Sequence, residues 1–308
     1  MLRSASVSKG LDRSGLPRRT DFNLVRRRAS DSGILSWHWD GREIRPLRGG
    51  IPPDDRGFRY GQHVFESIAV RKKQPLMGPE HLELLKSSAR TKAIPLPRTL
   101  TTALRYFLRY VSLSDGMLRI YLTAGMGAPA SPIRNSRCYL TWEKSIFPTS
   151  SKIKKGLRLT IRKNPFLGSD WGIKCGNYDQ HLLAISEARS AGADEAIVLD
   201  GKGLVLSCAM GNLLVWLPSR RGVRLCTPPV GLGARSGVLL DWVIRNHRVM
   251  ERSLRTSDIS RAVAMAVTNS RLGVMPVTIV DGRILPDPSL SLALANDYLK
   301  SHGLFRCA

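Results

Sequence analysis

The stretch IKCGNYDQHLLAISEARSAGADEAIVLDGKGLVLSCAMGNLLVW, Ile173 to Trp216, decides how the chain is read. Leu182, Leu183, Ile185 and Ala188 recur at helical spacing and predict the apolar face of a helix that Gly192 stops. Glu195-Ala-Ile-Val-Leu199 reads as a buried strand, Asp200-Gly-Lys-Gly203 as a turn and Leu204-Val-Leu206 as the hairpin partner. Lys174 stands just ahead of the helix. A lysine fixed on such a frame can add to an aldehyde cofactor once its amine is desolvated enough to be neutral. A lone lysine is more often a solvated surface group, and the spacing leaves both readings open.

Upstream, Ile34-Leu-Ser-Trp37 alternates and Asp40-Gly41 supplies a turn, which predicts a short hairpin within 33–50. A strand follows through Val64-Phe65 to Val70. His81 to Ala93 reads as a helix with Leu82 and Leu85 inward, closed by Pro95 and Pro97, and Leu100 to Leu113 as a second helix. Leu118 to Thr123 and Cys138 to Trp142 alternate as strands. Phe147-Pro-Thr-Ser-Ser-Lys152 has linker character and places a boundary near residue 150. The second half mixes strands and helices up to a final helix, Leu290 to His302. No internal repeat is evident.

A chain of 308 residues suits two domains, and 43% hydrophobic content allows a sizeable core. No apolar run is long enough for a transmembrane helix. The five cysteines, Cys138, Cys175, Cys208, Cys226 and Cys307, show no paired spacing, so neither a disulfide framework nor a metal site is expected, and a reducing cytoplasm fits. Cys175, next to Lys174, reads as a small packing residue. The net charge is +24. Residues 1–33, with eight Lys/Arg and three Asp, carry +5 of it and leave +19 on the rest. That segment is Ser- and Arg-rich and without periodicity, which predicts a disordered basic extension. The remaining arginines are scattered in the sequence with no RNA or DNA motif, so nucleic acid is not an expected partner; a basic surface also steers anionic small molecules.

The order of motifs resembles the class IV aminotransferases, pyridoxal 5'-phosphate (PLP) enzymes that include branched-chain and D-amino-acid aminotransferases and 4-amino-4-deoxychorismate lyase. The resemblance rests on Lys174, Asn177-Tyr178, Ala184 and Ala188, Gly192-Ala-Asp-Glu-Ala196 and Asn212. Upstream it includes Asp55-Arg56-Gly57, Tyr60-Gly61, Phe65-Glu66 and Glu80-His81; downstream it includes CTPPV (Cys226 to Val230) and VTNSRLGVMPV (Val267 to Val277), the last most like the lyase branch. It covers roughly residues 36 to 300.

The resemblance implies the PLP fold type IV: an α+β N-terminal domain over 34–149 and a mixed α/β, barrel-like C-terminal domain over 150–308. It implies a homodimer, PLP between the domains, and a small anionic amino substrate. Lys174 would be the catalytic lysine that carries the cofactor. Ser207, Gly237, Val238, Leu239, Thr268, Asn269 and Ser270 would contact PLP, and Phe65, Ala124 and Asn177 the substrate. No metal is implied.

Departures from the family pattern bear on the reaction. Leu84 stands where the family has a phosphate-binding arginine, and Gly237-Val-Leu-Leu240 where it has a Gly-Ile-Thr-Arg turn; Arg235 or Arg271 could restore the charge. Ser207 replaces a glutamate that pairs with the pyridine nitrogen, Ala124 an arginine used on substrate carboxylates, and Phe65 a frequent tyrosine. A serine hydroxyl cannot stabilise a pyridinium as a carboxylate does. This favours a lyase that makes 4-aminobenzoate and pyruvate from 4-amino-4-deoxychorismate. A branched-chain-like aminotransferase, and a diverged homologue with weak or no PLP catalysis, remain as alternatives.

Overall fold

The alternating segments of the first half assemble into one sheet. A computed structural model describes residues 34–111, 113–163 and 172–304 of the chain. The basic extension and Cys307 lie outside the described residues. β1 (Leu35–Trp39) and β2 (Ile44–Pro46) form the expected hairpin, followed by β3 (His63–Arg71), β4 (Gln74–Pro75), β5 (Gly116–Thr123) and β6 (Arg137–Lys144). They order as β2-β1-β6-β5-β3-β4, antiparallel throughout. A one-turn helix, α1 (Arg56–Tyr60), precedes β3, and α2 (Gly78–Thr91) and α3 (Arg98–Tyr110) follow β4. Leu82, Leu85 and Ala89 of α2 and Leu100, Leu104 and Phe107 of α3 bury against Val64, Ile68, Leu118, Ile120 and Leu140 of the sheet. α3 begins at Arg98 and ends at Tyr110, earlier at both ends than the pattern predicts.

The second half builds a larger sheet. Its strands are β7 (Leu157–Lys163), β8 (Glu195–Leu199), β9 (Leu204–Cys208), β10 (Asn212–Ser219), β11 (Gly222–Thr227), β12 (Val249–Glu251), β13 (Leu254–Arg255), β14 (Ala264–Asn269), β15 (Gly273–Val280) and β16 (Arg283–Ile284). The pairing path is β12-β11-β10-β14-β15-β7-β8-β9-β13, with β16 on β15. β9 and β10 lie far apart on that path, yet only Ala209-Met-Gly211 joins them, with the Cys208 N–H donating to the Gly211 carbonyl at 3.0 Å. The sheet must therefore curl back on itself, which is the barrel-like form. Central strands such as β8, β10 and β14 are buried on both faces and read accordingly as near-continuous apolar runs.

Four helices accompany this sheet: α4 (Ser150–Lys155), α5 (Asp179–Ser190), α6 (Val238–Asn246) and α8 (Ser289–Ser301), with the short α7 (Thr256–Arg261) beside β10. Leu239, Leu240, Trp242 and Val243 of α6 and Leu294, Ala295 and Tyr298 of α8 enter the larger core. Two local expectations are corrected. Residues 150–152 belong to α4, started by Thr149 accepting from the Lys152 N–H at 3.3 Å, and not to an extended linker. The buried face of α5 is His181, Ala184, Ile185 and Ala188, while Leu182 and Leu183 are about half exposed, at 51% and 50%. Both faces satisfy the helical period; small alanines let α5 approach Ala196 and Val198 of β8 closely, and the His181 ring is held by the Ala209 carbonyl at 2.7 Å.

Candidate active site

The two sheets meet along the segment that carries Lys174. The Phe65 N–H donates to the Lys174 carbonyl at 2.9 Å and the Gly176 N–H to the His63 carbonyl at 3.0 Å, so residues 174–176 run as a short antiparallel addition to β3. Gly176 is required there: a Cβ at that position would stand 1.9 Å from the Gly61 carbonyl oxygen. Cys175 turns into the core of the first sheet, as a packing residue does.

Lys174 Nζ lies 3.1 Å from Glu66 Oε2. The same oxygen is 2.8 Å from His81 Nδ1 on α2, and both Glu66 and His81 are buried. His81 Nδ1–H donates to the Glu66 carboxylate, and its Nε2 lies 3.4 Å from the Ser270 hydroxyl. A continuous polar chain thus runs from Lys174 through Glu66 and His81 to Ser270, linking β3, α2 and the β14–β15 turn. Burial by itself pushes the Glu66 carboxyl up; the Lys174 ammonium, and then the hydrogen bond and charge of His81, outweigh it and hold the carboxyl below its ordinary value.

The amine opens into a small cleft whose walls include Glu66, Leu84, Ser87, Ser88, Thr91 and Ser236. Leu84, Ser87, Ser88 and Thr91 fall at i, i+3, i+4 and i+7 and form a stripe along α2. Ser236 precedes Gly237, the N-cap of α6, which has no side-chain cap on its first N–H groups. Those donors, and the positive end of a nine-residue helix, favour an anion. A Cβ on Gly237 would meet Asn212 Oδ1 at 2.2 Å, so the helix start sits tight against β10. Thr268, which pairs with Asn212 across β14 and β10, is buried with no hydrogen-bond partner for its hydroxyl among the described residues.

On the other face of β3, Phe65 stacks on Tyr121 at 5.7 Å and meets the edge of Tyr178 at 5.1 Å. Tyr178 stacks on His181 at 4.6 Å, and the buried Arg235 guanidinium lies over the Tyr178 ring at 5.4 Å. The Tyr178 hydroxyl donates to Met210 Sδ at 3.6 Å. Met210 belongs to the β9–β10 turn, whose N–H is gripped by Glu195 Oε2 at 3.2 Å and whose carbonyl accepts from Asn269 Nδ2 at 3.3 Å. Burial pushes the Glu195 carboxyl up to about 7, against the pull of its backbone hydrogen bonds and of Arg235.

The residues singled out in the sequence therefore separate. Lys174 lines the cleft, Gly237 begins the helix beside it, and Ser270 reaches the lysine through His81 and Glu66. Ser207 is buried and donates to the Gly211 carbonyl at 2.6 Å, closing the β9–β10 turn. Val238 and Leu239 are buried within the first turn of α6, so Gly237-Val-Leu-Leu240 is a helix start and not a free turn. Asn269 is spent on the turns at Met210 and Leu272. Phe65 belongs to the aromatic cluster. Ala124 lies in the core of the first sheet, and Asn177 is exposed at a second hollow with Tyr60, His63 and Lys92, outside the lysine cleft.

Glu66 and His81 had no assigned role from sequence. Their signal was a carboxylate inside the apolar strand VFESIAV, which a buried partner must explain. The α2 hydroxyl stripe and the Met210–Glu195 contact had no comparable signal.

A lysine on the seam between two α/β units, at the mouth of an anion-attracting helix start, defines a site for a phosphorylated aldehyde cofactor. Residues 63–280 match the family described as Amino-transferase class IV, and the chain belongs to that family of PLP-dependent enzymes. A Methanocaldococcus jannaschii protein provisionally named a branched-chain-amino-acid aminotransferase is 29% identical over 247 residues, covering 75% of this chain and 83% of that one. The aminodeoxychorismate lyase of Bacillus subtilis is 24% identical over 255 residues, covering 79% and 85%. The crystal structure of 4-amino-4-deoxychorismate lyase from Pseudomonas aeruginosa superposes with a TM-score of 0.74 at 26% identity, covering 88% of this chain and all (100%) of that one.

Proposed function

We propose that the chain is a PLP-dependent lyase that converts 4-amino-4-deoxychorismate to 4-aminobenzoate and pyruvate. The observation that carries this reading is Ser207. The family resemblance sets this position against the cofactor's ring nitrogen, and here it offers an uncharged hydroxyl whose proton is already given to Gly211. A site without a carboxylate there disfavours transamination more than elimination. The full-length similarity to the Pseudomonas aeruginosa lyase supports the same choice.

The chain's residues fit the cofactor. Lys174 would hold its aldehyde. Ser87, Ser88 and Ser236, the first N–H groups of α6 and the Thr268 hydroxyl are the donors available to its phosphate. When bound, PLP supplies an electron-withdrawing ring conjugated to the substrate's amine-bearing carbon. Lys174 Nζ then takes a proton from that carbon and returns one to the product. Glu66 fixes where the amine stands, and His81 and Ser270 fix Glu66.

A second reading, an amino-acid aminotransferase of the branched-chain type, is favoured by the Methanocaldococcus jannaschii relative, which is more alike in sequence than the Bacillus subtilis lyase. The decisive experiment loads the purified protein with PLP, removes the excess, and reduces with borohydride beside Lys174→Ala. A visible band fixed by borohydride in the parent and missing from the variant establishes the lysine site. Pyruvate released without an amino acceptor then identifies the lyase; glutamate formed from 2-oxoglutarate identifies the aminotransferase. No lysine-dependent adduct at excess PLP refutes both.

A further inference from the structure

The fold gathers arginines that the sequence scatters. β10 turns at Arg220-Arg221 into β11, and β11 pairs in parallel with the edge strand β12, Leu225 beside Val249. Parallel pairing places the starts of both strands at one end of the sheet. That end collects Arg220, Arg221 and Arg224 from the hairpin, Arg248 just ahead of β12, and Arg245 from the last turn of α6 leading into it. All five side chains belong to exposed residues. Among the described residues none of the five forms an ion pair. Arg224 rests on Met250 Sδ at 3.8 Å and Arg245 donates to the Asp241 backbone carbonyl at 3.2 Å.

Of the carboxylates of this region, Asp241 faces Arg245 without a close ion pair, and the others are engaged or lie further along the strand. Asp258 is held by Arg252 and Arg261, and Asp297 by His247. Glu251 sits at the opposite end of β12, beside Thr227. Five exposed guanidinium groups, with Arg245 partly balanced by the Asp241 carboxylate, repel one another in the free protein and gain by meeting a polyanion. Guarding an edge strand against self-pairing would account for Arg248. It does not account for Arg220, Arg221 and Arg224, which lie on the hairpin tip and on the interior strand β11.

Arginine forks match the paired oxygens of phosphates. The exposed large hydrophobic residues at this end are Val223 and Met250, with no aromatic platform for unpaired bases. We propose that this arginine end of the second sheet binds the phosphate backbone of double-stranded nucleic acid without sequence preference. The binding is independent of the lysine cleft.

The test titrates the full chain with a labelled mixed-sequence DNA duplex at rising potassium chloride. The expected slope of log affinity against log salt is about −4.5 for five neutralised phosphates, and Arg224→Gln with Arg248→Gln reduces its size by about 1.8. Arg98→Gln with Arg105→Gln on α3 leaves it unchanged, and circular dichroism confirms that both double variants fold. A slope unaltered by the Arg224/Arg248 substitutions overturns the proposal, whatever other segment then holds the duplex. So does capture by anionic vesicles with no duplex binding at low salt. Self-association of the double variant with duplex affinity intact overturns it too, and would mark the arginines as edge guards.

Discussion

Glu66 Oε2 stands 3.1 Å from Lys174 Nζ although 108 residues separate the two in the chain. The contact ties the catalytic-candidate lysine to the interior of the first sheet, and His81 adds a second hydrogen bond to the same oxygen from α2. Glu66→Gln removes a buried negative charge that two donors face, a loss of about 3 kcal/mol by analogy with broken buried pairs. The folded carboxyl titrates below its ordinary 4.5, so its stabilisation is fully present above that pH and is lost as pH falls through the depressed value. Thermal unfolding across the acid range should therefore show a gap between parent and variant that is widest above about pH 4.5 and closes below it. A gap that stays constant would show that the pair does not stabilise the fold through charge.

Glu195 has the opposite sign. Its carboxyl is pushed up to about 7 by burial, from an ordinary 4.5. Its contribution is fully present below about pH 4.5 and is lost as pH rises through about 7. Glu195→Gln keeps an oxygen for the Ala196 and Met210 N–H groups but cannot ionise. The variant should gain on the parent as pH rises between those values, by at most about 3 kcal/mol. Melting temperatures at a series of pH values check this; a gap shrinking with pH would refute it.

Much of this architecture is legible because strand alternation is a direct record of burial. Leu118 and Ile120 announce their face, and the hairpin turn at Asp200 announces itself. The face of α5 is not, because Leu182 and Leu183 outrank His181 and Ala184 on hydrophobicity alone. What decides there is the close approach small alanines permit and a hydrogen bond from a histidine to a carbonyl 28 residues away. In the site, Lys174 is legible through the order of motifs around it. The carboxylate in VFESIAV is conspicuous, but its partners come from residues 15 and 108 positions distant. The stripe of hydroxyls on α2 emerges only once Leu82, Leu85 and Ala89 have fixed which side of that helix is buried.

Two glycines separate steric from conformational need. At Gly176 a methyl group would stand 1.9 Å from the Gly61 carbonyl, backbone against backbone. Gly176→Ala should part the two loops, cost at least about 1–3 kcal/mol, and weaken PLP capture by displacing Lys174. Gly192, at φ +74°, has nothing within 4 Å of its Cβ position. Gly192→Ala should cost only the left-handed backbone penalty of about 1–2 kcal/mol and leave PLP capture unchanged. Denaturant unfolding with a PLP titration distinguishes the two. Equal losses of PLP affinity in both variants would mean that the seam does not position the lysine.

The anchoring of the cofactor's phosphate is the point on which sequence and geometry differ most. Leu84 brings no charge to the cleft, and Arg235 is turned instead against Tyr178 and His181, where its Nη2 lies 3.3 Å from both ring nitrogens. What faces the cleft are neutral donors, Ser88 on α2 and Ser236 before α6. A hydrogen bond to an anion contributes about 1.5–3 kcal/mol, so Ser88→Ala and Ser236→Ala should each weaken PLP binding by about tenfold to a hundredfold. Pyridoxal, which has the aldehyde and ring but no phosphate, should bind both variants as it binds the parent. Because the donors are uncharged, the advantage of PLP over pyridoxal should also vary little with salt compared with an arginine-anchored site. Equilibrium titration of the parent and the two variants with both compounds measures each quantity. A PLP preference untouched by either substitution, and steeply salt-dependent, would assign the phosphate to a cation and remove the hydroxyls from the site.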